Sequence, residues 1–244
     1  MLAKCGINYQ IFGTEGKFIL CMHGWGGQID SFKPLIRDLT AESGKARVIG
    51  VDFPGHGPSP EPPEVWNVDQ FKAQIIALLD EIGAERVDIV AHSFGGRVAL
   101  LMAAENPERV GRMVLTGCAG LLPKRSGGAQ VKQAVFGALK AGYESRAVQK
   151  LLGKNAEKLT NAIQSRMGSA DYRALSGDMR KTFVQIISQD LTDELPRIKA
   201  PTLLYWGAED TETPLWMGKM MEEKIPDAGV VVQDGAGHFA YLEH

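Results

Sequence analysis

Cysteine is scarce in this chain, net charge is nearly absent, and no long apolar run occurs. The three cysteines among 244 residues, Cys5, Cys21 and Cys118, are an odd number set far apart. Two of them sit in apolar, strand-like runs. That excludes a disulfide framework and predicts free thiols in a reducing cytoplasm. No pair has metal-ligand spacing, so no metal is expected, nor any other cofactor. The formal charge of −2 offers no basic footprint for a nucleic acid. No stretch approaches a membrane span, and residues 1–6 do not open an apolar run. Neither stable membrane insertion nor a signal peptide is therefore expected. Oligomeric state is left open.

What remains is an ordinary globular balance, 44% hydrophobic and 23% charged, in a chain long enough to bury a large core. Short β-rich runs alternate with amphipathic stretches. The pattern predicts strands at 7–12, 18–22, 47–52, 87–91 and 112–116, and helices at 31–40, 68–82 and 94–105. The second helix is the clearest: Val68, Phe71, Ile75, Leu78, Leu79 and Ile82 recur at helical spacing, and Gly83 is placed to stop it. Strands separated by helices of this size indicate an α/β fold, a mostly parallel sheet with flanking helices. The alternation breaks between 121 and 198, where only helical segments are expected, among them 131–143 and 183–191. Strands resume at 202–206 and 230–232. The expected organisation is a core of residues 1–120 and 199–244 with an inserted helical cap over 121–198. That insertion carries 13 Lys+Arg against 7 Asp+Glu. Such an excess suits docking on an acidic body, or an anionic or carrier-bound substrate. Solvated helix faces are the commoner explanation of such an excess.

Chemistry concentrates where strands are expected to end. Ile89-Val90-Ala91-His92-Ser93-Phe94-Gly95-Gly96 sets an apolar run directly before a serine, two glycines and a helix. This is the layout of a nucleophile elbow, in which the backbone turns sharply through the serine and presents its hydroxyl. A serine hydroxyl needs a base, and that base needs an orienting group. His92 adjoins Ser93 on a sharp turn, so the two side chains point apart. His23, in His23-Gly24-Trp25-Gly26-Gly27, suits support of its own loop, and His56 sits in a Gly/Pro-rich loop. His238, in a flexible loop after the last strand, can reach across the sheet's edge and is the expected base. An acid should lie between Ser93 and His238, and Glu209, Asp210 and Glu212 follow the strand at 202–206. One N–H for an oxyanion is expected from Phe94, at the start of the helix after the elbow.

With these residues in this order, the chain resembles the α/β-hydrolase fold family over almost its whole length. In that family the acid lies in Gly-x-x-Asp with a proline four residues on; Gly207, Asp210 and Pro214 match, so the resemblance implies Asp210. It implies Trp25, the residue after a His-Gly pair, as the second oxyanion donor. It also implies a structural Asp-x-x-Gly-x-Gly-x-Ser loop at Asp52 to Ser59, which leaves Asp52 and His56 without chemistry. Serine at the elbow separates the chain from the dehalogenase and epoxide hydrolase branches, which use aspartate there. The elbow and cap are similar to those of small bacterial carboxylesterases. Cleavage of a small-molecule carboxylic ester through an acyl-enzyme is the first expectation. The alternatives are a carbon–carbon bond hydrolase, a lysophospholipase or a thioesterase, and, outside enzymes, a slow-turnover ligand receptor. Trp25, Phe94 and Phe239 are the expected apolar pocket residues. Two features depart from the family pattern. Ala91 replaces the usual first elbow glycine, and the chain ends six residues after His238 where members usually add a helix, so a truncated or tagged terminus is expected.

Overall fold

The computed structural model describes residues 1–43, 46–122 and 177–243. Its strands are β1 (Asn8–Phe12), β2 (Lys17–Met22), β3 (Ala46–Asp52), β4 (Val87–His92), β5 (Val110–Thr116), β6 (Thr202–Gly207) and β7 (Ala228–Gln233). They form one sheet in the order β1-β3-β2-β4-β5-β6-β7. β1 pairs antiparallel with β3, and every other pair is parallel. The described helices are α1 (Lys33–Ser43), α2 (Val68–Glu81), α3 (Phe94–Glu105), α4 (Gly177–Ser188), α5 (Trp216–Lys224) and α6 (Ala240–Glu243). This is the expected α/β class.

The period of two along the central strands divides the core into two layers. Leu20, Met22, Ile49 and Val51 face the larger layer, which holds the buried sides of α2 and α3. Cys21 and Val48 face the smaller one, filled by Ile29, Phe32 and Ile36. α2 forms where its periodicity predicts. The Asn67 side chain accepts the Asp69 and Gln70 N–H groups, and the Gln70 side chain accepts the Asn67 N–H in return. This capping box satisfies donors that the first helical turn would otherwise leave open. Gly83, at φ +69°, ends the segment in a conformation that side chains resist. α3 differs in kind. Every residue from Phe94 to Ala104 is buried, as expected of a helix enclosed on all sides.

Chain direction locates the site. From β2 the chain passes to β3 on one side, whereas from β4 it passes to β5 on the other, yet β2 and β4 are neighbours, with Met22 beside Ala91. Loops leaving such a pair splay apart and open a crevice at the strands' C-terminal ends. Those loops carry Gly24-Trp25 and Ser93.

The expected insertion at 121–198 falls mostly outside the described residues, including the helix predicted at 131–143. Its last part is described: residues 177–198 belong to the same compact unit as residues 1–121. α4 buries Met179, Thr182 and Ile186 there, and ends three residues before the predicted 191. α5 has no counterpart in the sequence pattern. No described helix is long and apolar enough to cross a membrane.

Candidate active site

Ser93 stands between β4 and α3 with φ 50° and ψ −110°, the one non-glycine residue at positive φ among those described. Its N–H donates to the Thr116 carbonyl at 3.1 Å, and its own carbonyl accepts from Ala119, which anchors the turn on the end of β5. Gly95 is required by space. A Cβ there would lie 2.2 Å from the Met22 carbonyl oxygen, and the Gly95 N–H donates to His23 O at 3.1 Å. The elbow is thereby locked onto the loop after β2. A Cβ on Gly24 would lie 3.2 Å from Ser93 Cβ, so that loop's backbone passes directly beside the nucleophile position. Among the described residues neither the Trp25 nor the Phe94 N–H has an acceptor, and Ser93 Oγ has no hydrogen-bond partner. Two unsatisfied donors, one at the N-terminus of α3, make a ready seat for an anion.

The expected acid and base are brought together by β5, β6 and β7. A Cβ on Gly207 would meet the Gly237 and Ala236 carbonyl oxygens at 2.1 and 2.3 Å, and the Glu209 N–H donates to Ala236 O. The loop after β7 therefore lies flat on the loop after β6. Across that seam His238 Nδ1–H donates to Asp210 Oδ2 at 2.8 Å. Asp210 Oδ1 accepts the Glu212 and Thr213 N–H groups, both at 2.9 Å. Burial opposes ionisation of Asp210, but hydrogen bonds from His238 and from the Thr213 N–H and hydroxyl outweigh it and hold the carboxyl below its ordinary range. With Nδ1 engaged, His238 Nε2 is the ring's basic nitrogen. Gly117, at φ +47°, packs between the partners: a Cβ there would lie 3.1 Å from both Asp210 Oδ2 and His238 Nδ1. Gly117 directly follows Thr116, on which Ser93 is anchored, and the His92 ring lies 4.6 Å from that of His238. Ser93, Asp210 and His238 are thus brought to one end of the sheet.

The other described histidines, His23, His56 and His92, are engaged within the surrounding loops. His23 Nδ1 bonds the Gly24 carbonyl at 2.7 Å while Nε2 accepts the Phe53 N–H at 3.1 Å, so the ring ties the loops after β2 and β3 together. Burial, reinforced by the nearby His56, pulls its pKa down to about 3. His92 is held on the Thr116 carbonyl at 3.0 Å, and burial with the neighbouring His238 pulls it to about 3 as well. His56 packs edge-on against Trp25. Asp52 is fully used, accepting from the Ile29 N–H and the Asn8 amide, each at 2.7 Å.

The expected pocket residues separate. The Phe94 ring is buried among Trp25, Phe53 and Phe71, so it shapes the core beneath the site. Phe239 is half exposed and lies against His92 and His238. The Trp25 ring meets Phe183 of α4 at 5.2 Å, a contact with a residue the sequence pattern placed only within a helical stripe. Gly117 and Thr213 were missed. The signal for Thr213 was an acid followed at the third position by a hydroxyl residue, the signature of an Asx turn. Among the described residues no group of three or more His, Cys, Asp or Glu could hold a metal ion. A separate depression of about 690 Å³, lined by Lys17, Arg47 and Arg112, lies at the opposite, N-terminal end of the strands and is remote from this chemistry.

Known proteins resemble this chain over almost its whole length. The profile of the alpha/beta hydrolase family covers residues 19–244. The chain is 27% identical to a 2-hydroxy-6-oxononadienedioate/2-hydroxy-6-oxononatrienedioate hydrolase of Burkholderia vietnamiensis, over 98% of this chain and 86% of that protein. It is 29% identical to a 2-hydroxy-6-oxo-6-phenylhexa-2,4-dienoate hydrolase of Comamonas testosteroni, over 97% of this chain and 86% of that one. Among solved structures, a bacterial membrane phospholipase A superposes with a TM-score of 0.70 at 27% identity, covering 95% of this chain and 76% of that one.

Proposed function

The chain belongs to the alpha/beta hydrolase family, and from that premise we propose that it is a serine-nucleophile hydrolase acting on a 2-hydroxy-6-oxo-dienoate, cleaving the carbon–carbon bond beside the 6-oxo group. The observation that carries the catalytic part is the strained Ser93 turn, at the same sheet end as the His238–Asp210 pair and as two N–H groups, of Trp25 and Phe94, that have no acceptor among the described residues. The bond choice is supported by the names of the relatives, which reverse the order expected from the sequence pattern by favouring carbon–carbon over ester cleavage.

Elementary chemistry assigns the roles. Ser93 Oγ attacks the C6 carbonyl as His238 Nε2 takes its proton, and Asp210 stabilises the imidazolium. Negative charge on the former carbonyl oxygen is met by the Trp25 and Phe94 N–H groups, each worth roughly 2.7–4 kcal/mol in such a site. In the 2-oxo tautomer, the pair from the breaking C5–C6 bond spreads through C3=C4 onto the C2 oxygen. The imidazolium returns its proton to the departing dienolate. Water, deprotonated by His238, then releases the acyl group as a carboxylic acid. Such a substrate is anionic, which suits the basic excess at residues 121–158. Neutralising Lys124, Arg125 and Lys132 should lower kcat/KM more at low salt than at high salt.

Ester hydrolysis is the second reading, favoured by the likeness to the phospholipase and requiring the same three residues. Both are tested by following loss of the dienoate chromophore and release of p-nitrophenol from a short ester, in wild type and Ser93→Ala. Dienoate turnover with kcat/KM at least about tenfold above the ester, abolished in Ser93→Ala, is expected. Ester turnover alone would transfer the function to the second reading. Turnover of neither by folded protein would remove both.

A further inference from the structure

Thr213 is buried beside Pro214, and its hydroxyl has three polar neighbours. The oxygen lies 2.7 Å from Asp210 Oδ2, 3.0 Å from the Gly117 carbonyl oxygen and 3.3 Å from His238 Nδ1. A threonine hydroxyl carries one proton, so it donates to the carboxylate or to the carbonyl, never fully to both. Asp210 Oδ2 also receives the His238 Nδ1–H, which makes it the shared acceptor of the acid–base pair. The carboxylate's orientation does not depend on this hydroxyl, because Oδ1 is held independently by two backbone N–H groups.

We propose, resting on the assignment of Ser93, His238 and Asp210 above, that Thr213 is a positioning residue of the acid–base pair: its hydroxyl donates to Asp210 Oδ2 while the imidazole is neutral and rotates toward the Gly117 carbonyl when the imidazolium forms. Two donors on one carboxylate oxygen compete. In the neutral state Thr213 dilutes the charge that His238 sees, and in the charged state the Gly117 carbonyl relieves Oδ2 of that donor. The base can then accept the serine proton without retaining it, the balance that general acid–base turnover needs. Replacing the hydroxyl by a methyl leaves the full carboxylate charge facing the ring at all times, so His238 should bind its proton more tightly.

Among the described residues, the other titratable groups around His238 are few. His92 faces it from β4 and is kept neutral by burial, Tyr241 lies beyond His92, and Glu243 of α6 holds the neighbouring Gly237 N–H. All three are unchanged by substitution at 213, so a shift reports the hydroxyl.

The experiment is an NMR titration of the His238 ring in wild type, Thr213→Val and Thr213→Ser, with the pH profile of kcat/KM measured alongside. Thr213→Val should move the His238 midpoint and the acid limb of kcat/KM upward by about 0.5–1 pH unit, and Thr213→Ser should restore both. A midpoint unmoved or lowered by valine, or raised equally by serine, overturns the proposal; lost activity with a stationary midpoint indicates packing alone. If valine does not fold, Thr213→Ala serves in its place. The titration needs no turnover, so it separates an error about Thr213 from an error about the reaction, which shows as absence of Ser93-dependent turnover in wild type.

Discussion

Ser93 holds a backbone conformation that costs a serine about 1–3 kcal/mol, and its surroundings are cut to allow it. Gly95 is the clearest case. Gly95→Ala would drive a methyl into the Met22 carbonyl oxygen and should lower stability by about 1–3 kcal/mol in urea titrations. Asp210→Asn tests the acid separately. An amide nitrogen facing His238 Nδ1 favours the opposite tautomer, so kcat should fall by roughly 10⁴-fold with the urea midpoint little changed. At this scale the sequence was informative where a residue type stands out from its surroundings: a serine between an apolar run and two glycines, an aspartate in Gly-x-x-Asp before proline. It was silent on Gly117 and marked Thr213 only as a hydroxyl three residues after an acid, because their contacts exist only once the ends of β5 and β6 lie side by side.

Elements explain why those residues meet. Each chemical group leaves the C-terminal end of a parallel strand, and strand order places these ends together. α2 can be probed through its cap. Asn67→Ala removes acceptors for the Asp69 and Gln70 N–H groups and should cost about 1 kcal/mol in thermal or urea unfolding, with activity retained. α2 was legible because five apolar residues share one face. α5 was not, because it buries only Gly218 and Met221. The glycine is there since a Cβ would lie 2.9 Å from the Trp206 ring, so close packing replaces the apolar stripe that periodicity detects.

For the whole molecule, buried neutral histidines set the response to acid. His23 and His92 bind protons near pH 6.5 when unfolded but only near 3 when folded. Between those values the unfolded chain carries more protons, so stability falls as pH drops below 6.5, by about 1.4 kcal/mol per unit for each ring. Asp210 acts in the same direction at lower pH: its depressed pKa contributes stability that is lost as pH falls through the folded value. Urea midpoints should therefore decline steadily from pH 7 to 5, and His23→Asn should flatten that slope. The thiols give a further whole-molecule test. Burial pushes Cys21 up to about 12 and Cys118 upward as well, so in native protein a thiol reagent should modify Cys5 alone, and all three after denaturation. The sheet, helices α1 to α3 and the chain order were readable because each depends on local pattern and known spacing. The cleaved bond was not, since ester and carbon–carbon cleavage share the same attack on a carbonyl and differ only in the leaving group. The central claim, that Ser93 is the nucleophile activated by His238, is met most directly by intact-protein and peptide mass spectrometry after a fluorophosphonate probe. Stoichiometric labelling of Ser93, slowed at least about 10³-fold in His238→Ala, is the predicted result. A folded wild-type protein left unlabelled, or labelled elsewhere, would contradict it.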